Sequence, residues 1–274
     1  MNLSLTVDGS LEAYRLFCVE GDQARGVDLS GTRMTLNYGV GGSLRLSTSP
    51  SGASGDWSYF SFLGKTLSWT VDLSNVPCGL NATFYSVHLS QGQGYHDACA
   101  TFFTTTELDF MEANQYAWHT TLHRASHDCG SAPPIGYGGT ISDPRYLFKD
   151  LGGLTTPTHL LYGPGVAYTI NTLLPFQASL SFELNAQEEL ETVALTLSQG
   201  DHAIGQQYDA NNEEYKGWLA ALGKEMVSQK TQGNVLVWSL WTGGLNWLES
   251  PPCPGTSPHC TATSCQYTIS DISL

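Results

Sequence analysis

Apolar residues along most of the chain come in short alternating or continuous runs, separated by clusters of Gly, Ser, Pro and Asn. These runs predict strands at 43–46, 57–62, 67–73, 82–89, 101–110, 159–162, 179–184, 192–197, 235–240 and 267–272. The breaks between them are strongly marked: SPSGASG at 49–55, SQGQG at 90–94, SAPPIGYGG at 131–139 and ESPPCPGTSP at 249–258. Many short strands with turn signals between them predict an all-β fold, either a sandwich or a barrel.

One segment has the other period. Tyr215, Trp218, Leu219, Leu222 and Met226 recur at helical spacing within 212–229. Acids at its start and Lys224 toward its end suit the helix dipole. The pattern predicts one short amphipathic helix leaning on the β-structure, its stripe serving packing. There is no internal repeat and no long polar linker, and 274 residues is an ordinary length for one all-β unit. Residues 1–274 are therefore expected to form a single domain.

Against this background the stretch ELDFMEAN, residues 107–114, is irregular. In a strand, Glu107 and Asp109 share a face, while Leu108, Phe110 and Glu112 point the other way. Glu112 would then be buried with the apolar pair, at high cost for a lone carboxylate. One extra residue near Phe110 or Met111 resolves the conflict. A β-bulge between Asp109 and Glu112 resets the alternation and brings all three acids to one surface. Like charges in a partly dry cleft hold a proton above its normal pKa. A protonated and an ionised acid side by side are what retaining glycoside hydrolysis uses. On these residues alone a solvated acidic face and a cation site stay open beside catalysis, although the Gly and regular Asp/Asn spacing of a calcium loop is missing.

Composition narrows the classes. Charged residues are 13% of the chain and hydrophobic ones 41%, which suits a β-protein with polar, weakly charged faces and argues against disorder. The net charge is −14 and the eleven Lys and Arg form no patch, so neither nucleic acid nor an anionic membrane surface is an expected partner. Neutral or cationic substrates fit better. No window approaches 18 uncharged apolar residues, so no transmembrane helix is expected. MNLSLTVDGS shows no basic region followed by an apolar run, and the expectation is a secreted protein whose leader has been removed. Seven cysteines without a CxxC pair read as disulfides of an oxidising compartment, with at least one left over. His119 and His123 are four apart, but no third zinc ligand is evident, and neither a metal nor a cofactor is expected.

The neighbours of the acidic cluster point further. Glu107-Leu-Asp-Phe-Met-Glu-Ala-Asn114 resembles the E-x-D-x-x-E-A-N motif of family 7 glycoside hydrolases, the cellobiohydrolases and endoglucanases. Residues 71–81, VDLSNVPCGLN, resemble that family's VDVSNLPCGLN stretch, with Tyr85 at the matching distance. Residues 138–146, GGTISDPRY, resemble its GGTYSDNRY run. Residues 235–241, VLVWSLW, continuing to Trp247-Leu-Glu, resemble VLVMSLW…LWLD, and Tyr95-His-Asp97 is a fainter match to a GYCD stretch. The resemblance is good over 65–170 and 234–250.

It implies a two-sheet antiparallel β-sandwich of the jelly-roll, concanavalin-like type with a curved cleft sheet. It assigns Glu107 as nucleophile, Asp109 as its helper, Glu112 as acid/base and His123 as a cleft histidine. Asn81, Tyr85, Tyr95, Asp97, Arg145, Trp241 and Trp247 become sugar-binding residues, with Arg145 on the leaving-group side. The other tryptophans, Trp57, Trp69, Trp118, Trp218 and Trp238, are left to the core; Trp238 and Trp241 differ by an odd number and must face opposite sides of their strand. The resemblance also implies a Cys78–Cys260 disulfide. A glycan on the Asn81-Ala-Thr83 sequon would block the cleft, so Asn2 is the expected acceptor instead.

The departures matter too. Only 90–96 bridge to Asp97 where the family has a long loop, the Trp241 to Trp247 interval is short, and Ser257 stands where a second cleft arginine is expected. Trimmed loops imply an open cleft and internal chain cutting. The expected activity is a monomeric, retaining, endo-acting hydrolase of β-1,4-glucan taking polysaccharide or oligosaccharide. A non-catalytic glycan-binding protein on the same fold is an alternative. So is a hydrolase of mixed-linkage β-glucan, xyloglucan or chitosan.

Overall fold

A computed structural model describes residues 2–18, 26–39, 44–47, 57–90, 106–125, 132–153, 155–228, 232–253, 260 and 264–274. The fold is an all-β sandwich of two packed sheets. The first sheet runs, in spatial order, Ile135–Tyr137, Trp118–His123, Glu107–Ala113, Asn81–Ser90, Gln232–Trp241, Leu44–Ser47 and Ser10–Cys18, each antiparallel to the next. The second runs Gln266–Ser273, Thr66–Asn75, Phe176–Leu184, Leu190–Gln199 and His202–Asp209, again antiparallel. Strand Asn2–Val7 joins them at one side, antiparallel to Ser10–Cys18 and touching Gln266–Ser273 through one parallel pair, Thr6 with Ser273. A small parallel pair, Tyr162–Gly163 with Ile170–Asn171, stands apart.

Alternation explains the layers. In TLSWTVDLSN, 66–75, every second residue is buried: Leu67, Trp69, Val71 and Leu73. From this strand Trp69 crosses to the other sheet, meeting Phe84 at 5.1 Å and Trp118 at 6.5 Å between ring centroids. Phe182 meets Phe110 at 6.4 Å in the same way. Two tyrosines bridge the layers with their hydroxyls, Tyr208 to the carbonyl of Thr120 at 2.9 Å and Tyr267 to that of Thr83 at 2.8 Å. Burying Tyr and Trp is favourable when their polar tips find such partners.

The helix forms at Glu213–Glu225, shorter at its end than the spacing predicts. Asn212 caps it, its side chain accepting from the Glu214 N–H at 3.1 Å. Tyr215, Leu219, Leu222 and Met226 are buried as the stripe predicts. A second helical turn, Asn246–Glu249, and a 3-10 turn, Thr158–Leu160, were not expected.

Two strand expectations fail. The 57–62 run forms no continuous strand: it pairs through isolated bridges, Phe60 with Asn234 among them, and Ser58 N–H donates to the Leu46 carbonyl at 3.1 Å, while Trp57 and Tyr59 cover one face of the first sheet. In the 159–162 run, 159 and 160 belong to the 3-10 turn that follows Pro157, and only Tyr162 is in a strand, the short Tyr162–Gly163. Of the 101–110 expectation, 101–105 lie outside the described residues.

The disulfide expectation also fails. Cys78 pairs with Cys253, and Cys260 with Cys265. Glu249 is bonded to the backbone of Gly79, so the 246–253 segment lies directly against Cys78. Cys260 sits five residues from Cys265, which precedes the last strand.

Candidate active site

The strand Glu107–Ala113 lies between Asn81–Ser90 and Trp118–His123. Against the latter, Asp109 faces Thr121 but Glu112 faces His119, a register shift of one residue. The same shift appears on the other side, where Asp109 faces Tyr85 and Met111 faces Phe84. This is the bulge that parity demands. Phe110 and Met111, adjacent in sequence, both enter the core, and Glu112 returns to the face of Glu107 and Asp109.

These three acids line one cleft of about 340 Å³ together with His119, Thr121, His123, Pro134, Thr140 and Trp247. Glu107 and Asp109 are 8% and 6% exposed, and Glu112 is half-buried. His123 Nε2 lies 3.1 Å from Asp109 Oδ2. Donor atoms of Glu107, Asp109 and His123 all fall within 4.8 Å of one another, so these three could also accept a cation. Burial holds the Glu112 carboxyl well above the usual carboxylate range. The Asp109 charge adds to this, while the Asn81 amide and His123 pull the other way. Asn81 Nδ2 donates to Glu112 Oε1 at 3.2 Å. Glu112 therefore carries a proton where an unperturbed glutamate would have lost it, which equips it as a general acid.

His119 is a cleft residue that sequence reasoning missed. Along Trp118–His123 the side chains of His119, Thr121 and His123 alternate onto the cleft, so parity could have found it. It is fully buried, and burial pushes its pKa down to about 4. The neutral ring donates from Nε2 to the carbonyl of Gly138 at 2.8 Å. It meets Trp247 edge-on, with ring centroids 5.6 Å apart. Among the described residues, the groups whose ligand atoms converge with His123 are Glu107 and Asp109, not His119.

The glycine pair in GGT, 138–140, has a local cause. Gly139 has φ +56, and a Cβ there would stand 1.9 Å from the carbonyl oxygen of Trp247. Only glycine allows this approach, and Thr140 N–H then donates to that same oxygen at 2.8 Å. The pair thus seats Trp247 in the cleft wall.

The remaining sugar-binding candidates divide. Trp241 faces Asn81 in register, on the cleft side of its strand, and is 36% exposed, while Trp238 is buried on Phe84. Tyr85 faces Asp109 but is buried in an apolar group with Trp57, Val87, Leu89, Val235 and Val237. Arg145 is not among the cleft-lining residues. It is exposed and pairs with Asp143 at 2.8 Å and Glu214 at 3.2 Å, the structural ion-pair role that arginine also favours. Tyr95 and Asp97 lie outside the described residues. Asn81 is fully buried, which leaves no room for a glycan, whereas Asn2 is exposed.

No family model matches the chain. It is 27% identical to endoglucanase EG-1 of Trichoderma longibrachiatum over 293 residues, covering 88% of this chain and 57% of that protein. It is 25% identical to endoglucanase EG-1 of Hypocrea jecorina over 287 residues, with the same coverage. The chain thus spans just over half the length of the curated relatives it matches. Among solved structures it is similar to an endoglucanase I complexed with cellobiose, with TM-score 0.64 and 18% identity, covering 90% of this chain and 77% of that one. A family 7 cellobiohydrolase from Daphnia pulex gives TM-score 0.62 at 16% identity, covering 100% and 96%. In fold and in sequence, the chain resembles the family 7 cellulases.

Proposed function

We propose that the protein is a retaining, endo-acting glycoside hydrolase that cleaves β-1,4-glucan in an open cleft, acting as one secreted, monomeric catalytic domain. The observation that carries this reading is the bulge, which sets Glu107, Asp109 and a protonation-prone Glu112 on one surface beside Trp247. Glu112 gives its proton to the glycosidic oxygen as a Glu107 oxygen attacks the anomeric carbon, breaking the C–O bond and releasing the leaving sugar. Asp109, paired with His123, orients Glu107. Water then attacks the same carbon, ionised Glu112 takes its proton, and the bond to Glu107 breaks. Trp247 and Trp241 offer indole faces for stacking on sugar rings. The relatives, endoglucanases and an endoglucanase structure with bound cellobiose, favour β-1,4-glucan. Two disulfides favour an oxidising compartment.

The test is reducing-sugar release across a polysaccharide panel, with proton NMR of the first-released anomer and viscosity of a soluble cellulose derivative. Early β-anomer, early viscosity loss and an inactive Glu107→Gln are expected. Wild-type turnover by Glu107→Gln would sink the assignment. The three acids lining the cleft, with no Lys or Arg among the described lining residues, favour an amine-bearing glycan such as chitosan as the second substrate reading; the same panel decides it.

A further inference from the structure

The segment bearing Trp247 ends in a buried carboxylate that these hydrolytic steps do not use. Glu249 is 2% exposed. Its two oxygens accept from the Gly79 N–H at 3.0 and 2.9 Å, and Oε2 also accepts from Asn114 Nδ2 at 2.6 Å. Asn114 has no freedom to turn over. Its Oδ1 already accepts from Tyr116 N–H at 2.8 Å and Ala117 N–H at 3.0 Å, and its Nδ2 also donates to the Leu80 carbonyl at 3.2 Å. Among the described residues the hydrogen-bond partners of the Glu249 carboxylate are thus donors, and the position suits an acceptor-only side chain. Three segments meet there: the residue following the catalytic strand, the turn that leads into Asn81, and the short helix Asn246–Glu249. The Cys78–Cys253 bridge closes around the same joint.

Two cleft contacts issue from it. Two residues before Glu249, Trp247 stands against His119, its carbonyl held by Thr140. Two residues after Gly79, Asn81 donates to Glu112. Thr242 holds Gly79 from the other side, its hydroxyl donating to the Gly79 carbonyl at 2.6 Å.

We propose that Glu249 is a positioning residue for the cleft: one carboxylate clamps the Trp247 wall and the Asn81 contact to Glu112 into a single register. The inference rests on the hydrolytic reading above. It predicts that loosening the clamp disturbs sugar binding and the Glu112 proton together, because the sugar platform and the acid are set by one joint.

In Glu249→Gln an amide replaces an acceptor and faces Gly79 N–H and the Asn114 amide. For soluble cello-oligosaccharides, KM should rise about three- to tenfold, the effect of one disturbed hydrogen-bonded contact, with kcat changed less. The groups facing Glu112 are Asn81, Asp109 and His123, with His119 across the strand pair. Asn81 favours the ionised form, so its loosening should move the basic limb of the kcat/KM profile to higher pH. Thr242→Val leaves Glu249 intact and should give smaller changes of the same sign; it decides the matter if Glu249→Gln does not fold. Wild-type KM and pH limb in the folded variant, or equal losses of kcat and melting temperature alone, would overturn the proposal. If the wild type releases no sugar, the hydrolytic reading fails separately. Calorimetric Kd for cellotetraose then tests the clamp, and an unchanged Kd in Glu249→Gln overturns it.

Discussion

Asn81 Nδ2 donates to Glu112 Oε1 at 3.2 Å, reaching across from the neighbouring strand. The donor favours the ionised carboxylate, so it partly opposes the burial and the Asp109 charge that raise the Glu112 pKa. Asn81→Leu removes the donor while keeping the volume. The basic limb of kcat/KM should move to higher pH in a titration series, and an unmoved or lowered limb would contradict this role for Asn81.

Phe110 is the outward price of the bulge turned inward: it and Met111 fill the core so that Glu112 need not. Its ring meets Phe62 and Phe84 at 5.3 Å. Phe110→Ala should lower stability by about 3–5 kcal/mol, the range for large-to-small changes in packed cores. Met111→Ala should cost about 2–5 kcal/mol for the same reason, since its side chain is fully buried. Urea unfolding checks both, and a loss below about 1 kcal/mol in either variant would contradict the inward packing of these two side chains.

The bulge was legible in the sequence because strand parity and the cost of a buried carboxylate leave few choices for LDFME. Strong alternation, as in 66–75, marked its strands equally well. Weak alternation did not: Trp118–His123, WHTTLH, has polar residues at most positions, and its His119 went unrecognised as a cleft residue. The first hairpin was also missed, although Asp8-Gly9 has φ values of +47 and +77, the two-residue turn that a DG pair favours. Arg145 matched a motif, but its side chain answers to Asp143 and Glu214, one of them distant in sequence. Pairings of that kind, like Cys78 with Cys253, depend on where separate segments meet in space.

Glu112 also bears on stability. Its folded pKa is raised, so its contribution is fully present below the ordinary glutamate value of 4.5 and is lost as pH rises toward the folded pKa. Glu112→Gln removes this loss. The variant should match the wild type near pH 4 and exceed it at neutral pH, by about 1.4 kcal/mol per pH unit of the window at most. Denaturant melts at several pH values give the sign directly, and a less stable variant at pH 7 would reject it.

The Cys78–Cys253 bridge spans 175 residues. In the chain-entropy model a loop of that length stabilises by about 5 kcal/mol. Cys78→Ala with Cys253→Ala should lose stability on that scale, while loss of the five-residue Cys260–Cys265 loop should cost less. Non-reducing peptide mapping should find both pairs, and a Cys78–Cys260 peptide would contradict the arrangement.

His119 supplies a test at acid pH. Its folded pKa of about 4 lies below the ordinary histidine value of 6.5. Above 6.5 both states leave it neutral. Between 6.5 and 4 the unfolded chain takes up a proton that the folded one refuses, so stability falls as pH drops through this window, by up to about 3 kcal/mol near pH 4. His119→Gln can keep a donor toward the Gly138 carbonyl but has no proton to gain. Its stability should therefore change less than that of the wild type between pH 6.5 and 4, with the two curves parallel above 6.5. Equal acid slopes in the two proteins would mean that His119 is not held neutral by burial, and that the imidazole beside Trp247 changes charge within the working range of the cleft.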